Sequence, residues 1–305
     1  MGPSRLLIVM AVCLASIGMV CASCIASDAK AQIALQKQQE CLSRLHSLRF
    51  SCALELTIVG RSSAETTASG NANSSTIANR FVFACKGDKF RGDVTILDDA
   101  GRTLGRSVHA YDGQYYQIQY REGGVPTRSK INKDSSRYGT VHPLLLAYSF
   151  LFWGDDIRSI GNLQSKQTWS RLAARITSAE DCEMDGHAGV KLNIVGPVGG
   201  TSAGKLQYSV FLARDLSYFP IYWKLVYPNG RVGEYHALAT KTIGGPDAPI
   251  VVPLRVFTNE HKDGKEINHF TLEVDPASLE VNPSIDDALF TLEPRPTAGD
   301  ARMER

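Results

Sequence analysis

The sequence predicts an α+β fold that is mainly β: one strongly curved antiparallel sheet, an unclosed half-barrel, with two or more helices packed in its concave face. Three observations carry this. From Phe50 onward apolar and polar residues alternate in segment after segment, the pattern of strands buried on one side. Asp112-Gly113, Asp185-Gly186, Asn229-Gly230 and Asp263-Gly264 separate such segments, and these dipeptides favour tight hairpins over βαβ units. Only two segments have a clear helical period, too few to cover the apolar face of about ten strands.

The elements follow in chain order. Residues 1–31 hold an arginine, an apolar run from Leu6 to Ala22 and then small residues, which is the build of a secretory signal peptide. Ala29-Lys30-Ala31 supplies a cleavage site before Gln32, and Cys24, behind Ala22 and Ser23, resembles a lipoprotein acceptor cysteine that would anchor the chain to a membrane. One domain is expected over residues 32–295. Leu35, Leu42, Leu45 and Leu48 form a stripe predicting an amphipathic helix over 31–49. Leu54, Leu56 and Ile58 predict the first strand, and Phe81, Phe83 and Cys85 the second. Between them residues 62–79 have almost no apolar side chain and read as a flexible loop insertion. In the hairpin at 107–120, Tyr116, Ile118 and Tyr120 share one face. HPLLLAYSFLFW, 142–153, is a helix with Pro143 in its first turn, apolar nearly all round. It must be enclosed by protein or by a ligand. Residues 296–305 are expected to form a disordered tail.

Lys plus Arg number 33 against 31 Asp plus Glu, so the field that draws proteins to nucleic acid is absent. Beyond the leader lie Cys41, Cys52, Cys85 and Cys182, and four cysteines allow three pairings. Cys52 and Cys85 fall on consecutive predicted strands, so a disulfide between them is the first expectation.

A meander with one apolar face can divide into two packed sheets, or curl into a cup whose mouth the helices occupy. The cup leaves a cavity whose candidate lining is Leu54, Leu56, Phe81, Phe83, Tyr116, Ile118, Tyr120, Leu145, Phe150, Tyr208, Trp223 and Leu225. Taken one by one, core packing is the more ordinary role for each of these residues.

GPVGGTSAGKL, 196–206, matches the Gly-x-Ser-x-Gly nucleophile elbow at Ser202 and nearly matches a phosphate-binding loop. Both motifs need a helix behind the loop, where LQYSVFLARD alternates like a strand. A serine hydrolase using Ser202, with Asp247 and His261, is therefore the remote reading. His187 beside Glu180, Asp181, Glu183 and Asp185, and His261 with His269, are the metal candidates; neither assembles a convincing ligand set. No metal and no cofactor is expected.

The amphipathic helix running into a strand, the hairpin YDGQYYQIQY, the helix HPLLLAYSFLFW, then ARDLSYFPIYWKL and the closing VNPSIDDALFTLEP stand in that order. Together they resemble the outer-membrane lipoprotein-sorting superfamily, the LolA- and LolB-like proteins, and within it the long exported members of planctomycete-like bacteria. The resemblance spans residues 30–295. It implies an unclosed barrel around helices, a hydrophobic cavity for acyl chains of lipoproteins in transit through the periplasm, and neither enzymatic activity nor a metal. The chain is longer than the carrier, and the family's Pro-x-Gly ending is not clear here. No position matches the carrier's functional arginine, so no functional residue is carried over. The expectation is an exported, monomeric envelope protein that binds a lipid or a lipoprotein acyl chain without catalysis, with an envelope membrane protein as a further partner. The alternative is an envelope scaffold with a filled core.

Overall fold

The computed structural model describes residues 29–59, 75–98, 100–120, 127–130, 143–149, 160–196, 206–245 and 249–292. Residues 1–28 of the leader, residues 62–74 of the expected loop, Phe150, Ser202, Asp247 and the 296–305 tail lie outside them, whereas 29–31 open a helix and 75–79, expected as loop, belong to a strand. No helix among the described residues is long and apolar enough to cross a membrane.

The chain enters through helix α1, residues 29–42. Ala31, Ala34, Leu35, Gln38 and Leu42 are its buried residues, at the spacing that puts them on one face. The helix ends earlier than its leucine stripe predicts. Leu45 lies in the connection that follows and Leu48 in the first strand, yet both are fully buried. Their three-residue spacing mimicked another helical turn.

Six strands follow as a meander: β1 Ser47–Ile58, β2 Ser75–Lys86, β3 Lys89–Leu97, β4 Thr103–Tyr111, β5 Tyr115–Tyr120 and β6 Thr127–Lys130. Helices α2 Pro143–Ser149, α3 Ile160–Gln164 and α4 Lys166–Ala173 come next. A second meander comprises β7 Ile176–Met184, β8 His187–Gly196, β9 Leu206–Ala213, β10 Phe219–Val226, β11 Arg231–Ile243, β12 Ile250–Lys262 and β13 Lys265–Val274. Strand β14, Glu280–Val281, and a 3-10 turn at Asp287–Phe290 complete the described chain.

All strands join one antiparallel sheet in the order β6-β5-β4-β3-β2-β1-β13-β12-β11-β10-β9-β8-β7, with β14 off this path beside β1. Strands β6 and β7 are its two unjoined edges, so the sheet is an unclosed half-barrel. The first and last long strands, β1 and β13, meet at its centre, where Leu54 faces Leu272 and Leu56 faces Phe270. All four predicted turns join consecutive strands, but only two have the expected pair of positive φ angles; at Asp112-Gly113 and Asn229-Gly230 the glycine alone is positive, at 97° and 77°. Asp185 and Gly186 have φ of 52° and 80°, and Asp263 and Gly264 have 53° and 74°. Two successive positive φ angles are what a two-residue hairpin needs.

The alternation expected from the sequence defines the concave face. Leu48, Phe50, Cys52 and Leu54 of β1 join Phe81 and Phe83 of β2, Trp223 and Leu225 of β10, and Tyr235 of β11 in one core cluster. Helix α2 rests on β10 and β12. Leu144, Leu145, Leu146, Ala147 and Tyr148 are five consecutive residues no more than 5% exposed, more than one turn, so α2 is enclosed on all sides as its composition demands. Tyr148 donates from its hydroxyl to Gln38 Oε1, and Gln38 Nε2 donates to the Ser217 carbonyl. This buried amide ties α1, α2 and the turn before β10 together.

The expected Cys52–Cys85 disulfide is corrected here. The strands are adjacent and both thiols are buried, but Cys52 stands opposite Phe81 and Cys85 opposite Leu48. The offset is four residues, about 13 Å along the strand, against the roughly 7 Å limit for a bridged Cα pair. All four described cysteines are free. Helices α3 and α4, which the sequence did not announce, bury Ile160, Leu163, Trp169 and Leu172 beneath polar neighbours.

Candidate functional site

A cavity of about 220 Å³ lies in the concave face between α2 and strands β10–β13. Its walls are Leu146 of α2, Trp223, Leu225, Tyr227, Gly233, Glu234, Thr258, Asn259, Glu260, Asn268 and Phe270. Register explains why residues so distant in sequence converge. Leu225 stands opposite Gly233, Gly233 opposite Glu260, and Glu260 opposite Asn268. Those four therefore form one row across four strands, and Trp223, Tyr235, Thr258 and Phe270 form the next.

At Gly233 the wall of the hollow carries no side chain. A Cβ placed there would meet Trp223 at 3.8 Å and Glu260 at 3.9 Å, ordinary contact distances. A glycine in a strand interior commonly marks close approach by another group. In the aromatic wall Trp223 stacks on Tyr235 with ring centroids 5.4 Å apart and planes 9° off parallel. Burial pushes the Tyr235 phenol far above its ordinary range, so it stays protonated.

One end of the cavity is polar. Glu260 Oε2 accepts from Arg231 and from Asn268 Nδ2, the latter at 2.7 Å. Arg231 also sits over the Tyr227 ring, 5.5 Å from its centroid, a cation–π contact. The Arg231 Nε is buried without a hydrogen-bond partner among the described residues.

Of the residues expected to line a cavity, Trp223 and Leu225 do so. Leu54, Phe81, Phe83, Tyr116, Leu145 and Tyr208 are buried, packed elsewhere than on this cavity, and Leu56 and Ile118 are partly buried. Tyr120 is 60% exposed at the end of β5, so it is not enclosed. Phe150 lies outside the described residues. Sequence reading missed Gly233, Glu260, Asn268 and Phe270. Only their cross-strand register brings them together, and a single chain displays no signal for that beyond the turn at Asp263-Gly264.

The concave face of β4 and β5 carries a second polar group. Ser107 Oγ lies 3.0 Å from His109 Nε2, and His109 Nδ1 bonds the Tyr116 hydroxyl. Burial lowers the His109 pKa, outweighing the opposite pull of Asp93. At Ser202 the flanking structure answers the motif: Gly196 of β8 pairs with Leu206 of β9. A strand, not a helix, follows the loop, so neither the elbow nor the phosphate loop has the N-terminus its chemistry uses. His187 bonds Asp215 at 2.8 Å, and His269 bonds Glu266. His261 stands opposite Glu266 and His269 opposite Asn259, so the two histidines do not face each other. No group of three or more potential metal ligands occurs among the described residues.

Fold and site together define an unclosed antiparallel half-barrel with helices in its concave face and a small apolar cavity beneath one of them. No protein-family model matches the chain, and no curated protein does. Among solved structures it is similar to the Mycobacterium tuberculosis lipoprotein LppX, at 10% identity over 83% of this chain and 97% of that one, TM-score 0.30. It is also similar to MucB in complex with MucA(peri), at 10% identity over 83% and 99% of the two chains, TM-score 0.22. A third likeness is to lipovitellin, in a structure described by its lipid–protein interactions, at 9% identity, covering 82% of this chain and 27% of that one, TM-score 0.24. With TM-scores this low, the functional reading rests on the residues of this chain.

Proposed function

We propose that this protein is a non-catalytic carrier that shields part of a lipophilic molecule, an acyl chain of a lipid or lipoprotein, in the cavity beneath α2. The carrying observation is the hollow at Gly233. A strand interior gives up a side chain there, and Leu146, Trp223, Leu225 and Phe270 surround the space with apolar surface. About 220 Å³ is below the roughly 300–1,000 Å³ of small-molecule pockets, so it takes a segment of a chain and the remainder extends past the rim. Burying apolar surface supplies about 25 cal/mol per Å².

The apolar run Leu6–Ala22 at the N-terminus supports export to the periplasm or cell envelope, with Cys24 as an anchor point. On this reading the protein is a LolA- and LolB-like carrier of the type found in planctomycete-like bacteria, acting as a monomer and handing its cargo to an envelope membrane protein. The test is to purify the chain from its native host, extract it with organic solvent and identify co-purifying lipid by mass spectrometry. A bound acyl lipid is expected from the wild type and its loss from Gly233→Leu. A lipid-free protein that takes up no fluorescent fatty acyl probe contradicts the reading.

A further inference from the structure

We propose that an acyl chain too long for the hollow continues along an open apolar track on the concave face of β1, β2 and β3, so that the protein favours long chains over short ones. The inference rests on the carrier reading above and adds the length of the chain to it. Register carries the track out of the cavity. Phe270, a cavity wall, stands opposite Leu56, and Leu56 stands opposite Ile77. On the next strand Ile96 stands opposite Asn79, two residues from Ile77 on the same face, which is within diagonal cross-strand reach. Two strand spacings and one diagonal take the track roughly 17 Å from the cavity wall.

The track keeps the face of the core. Phe270, Leu56 and Val94, two residues before Ile96, are partly buried against the main cluster, whereas Ile77 and Ile96 are 38% and 39% exposed. The other face of the same strand ends is polar: the Thr57 and Thr76 hydroxyls lie 3.4 Å apart, and Arg80 stands opposite Thr95. A rim solvated on both faces would carry polar residues on both. Here aliphatic side chains keep to the face that continues the cavity, and single exposed apolar residues become a patch when they line up in this way. A hollow of about 220 Å³ leaves the rest of a long chain to stay in water or to lie on these side chains. Each methylene laid there is covered on one side and should add about twofold in affinity.

The test titrates the full-length protein with lysophosphatidylcholines of eight, twelve and sixteen acyl carbons, each below its micelle concentration, and reads affinity from intrinsic fluorescence. In the wild type affinity should rise about tenfold or more between twelve and sixteen carbons. Ile77→Asn combined with Ile96→Asn should leave the eight-carbon affinity unchanged and reduce that rise to about threefold or less. No rise beyond twelve carbons in the wild type overturns the inference without any variant having to fold, and eight-carbon binding then leaves the carrier reading standing. A rise that the double variant keeps in full also overturns it. So does a variant that lowers the urea midpoint, or dissolves a dimer, with the chain-length series unchanged, because the face then packs the protein's own chain or a second copy. Binding of none of the three ligands overturns the carrier reading as well.

Discussion

The two halves of the sheet solve the same burial problem differently. The first meander, β1–β6, is covered on its convex side by the end of the chain. Asn282 Oδ1 accepts from the His46 amide, Asp287 bridges Lys86 and Lys89, Arg91 donates to the Leu289 carbonyl, and the Leu292 amide donates to Gln117 Oε1. Ile285, Phe290 and Leu292 are buried under this strap, against Ala84 in one cluster and against Val108 and Ala110 in another. The second meander, β7–β13, shows ion pairs such as Lys191–Glu180 and Arg255–Glu273 on its convex side, and its apolar face looks inward to α2. One half is covered in part by its own chain, over Ala84, Val108 and Ala110; the other is roofed by a helix of seven residues and keeps a hollow. On the proposed carrier reading enclosed ligand binding belongs to the second half, and stability owed to the strap belongs to the first.

The largest effect separating them should come from Phe290→Ala. Phe290 is fully buried, and removing such a ring costs about 3–5 kcal/mol, seen as a lower midpoint in urea unfolding. Ligand affinity measured under native conditions should stay unchanged, since the ring lies across the sheet from the cavity. Loss of both would join the two halves and break the comparison.

Gly233→Leu should do the reverse. Its Cβ meets only ordinary contacts, and the rest of the side chain fills the hollow, so binding should weaken by about tenfold or more, with the unfolding midpoint near that of the wild type. Calorimetry with a fatty acyl ester reads the first, and urea unfolding the second.

The strap also carries an acid-sensitive element. Hydrogen bonds from Lys86 and then Lys89 hold the Asp287 pKa down, from 3.8 to about 2. A depressed carboxyl contributes stability that is complete above the unfolded value and disappears as pH falls through the folded one. The difference between wild type and Asp287→Asn should thus be constant above pH 4 and close between about pH 4 and pH 2. Salt should shrink it throughout, because the carboxylate is exposed.

Smallest of all should be the effect of reductant. Burial pushes the Cys52 and Cys85 thiols up to about 12, so neither should react with a thiol reagent in the native state at neutral pH. Dithiothreitol should leave the melting temperature where it was.

The sequence made the meander legible because its signals are local. Asp-Gly and Asn-Gly turns declare positive φ, and two-residue alternation declares one-sided burial. It also made α2 legible, since a short segment apolar all round has to be enclosed. What escaped were features made by register. Cys52 and Cys85 share a face but stand four residues out of step, and Leu45 and Leu48 fall on a helical stripe although neither is helical. Helices α3 and α4 escaped because each is short and contributes only two buried residues. In the candidate site, Trp223 and Leu225 were legible from alternation, whereas Gly233 and Glu260, 27 residues apart, become neighbours only when β11 pairs with β12.

The central claim, that the space beneath α2 receives an acyl chain, is most directly tested at Trp223. With Trp153 and Trp169, the other two tryptophans of the chain, replaced by phenylalanine, a bromine-labelled acyl ester should quench the remaining fluorescence saturably. Adding Gly233→Leu to the same protein should remove that quenching. Quenching that is absent, or that persists undiminished in the Gly233→Leu variant, would contradict the claim.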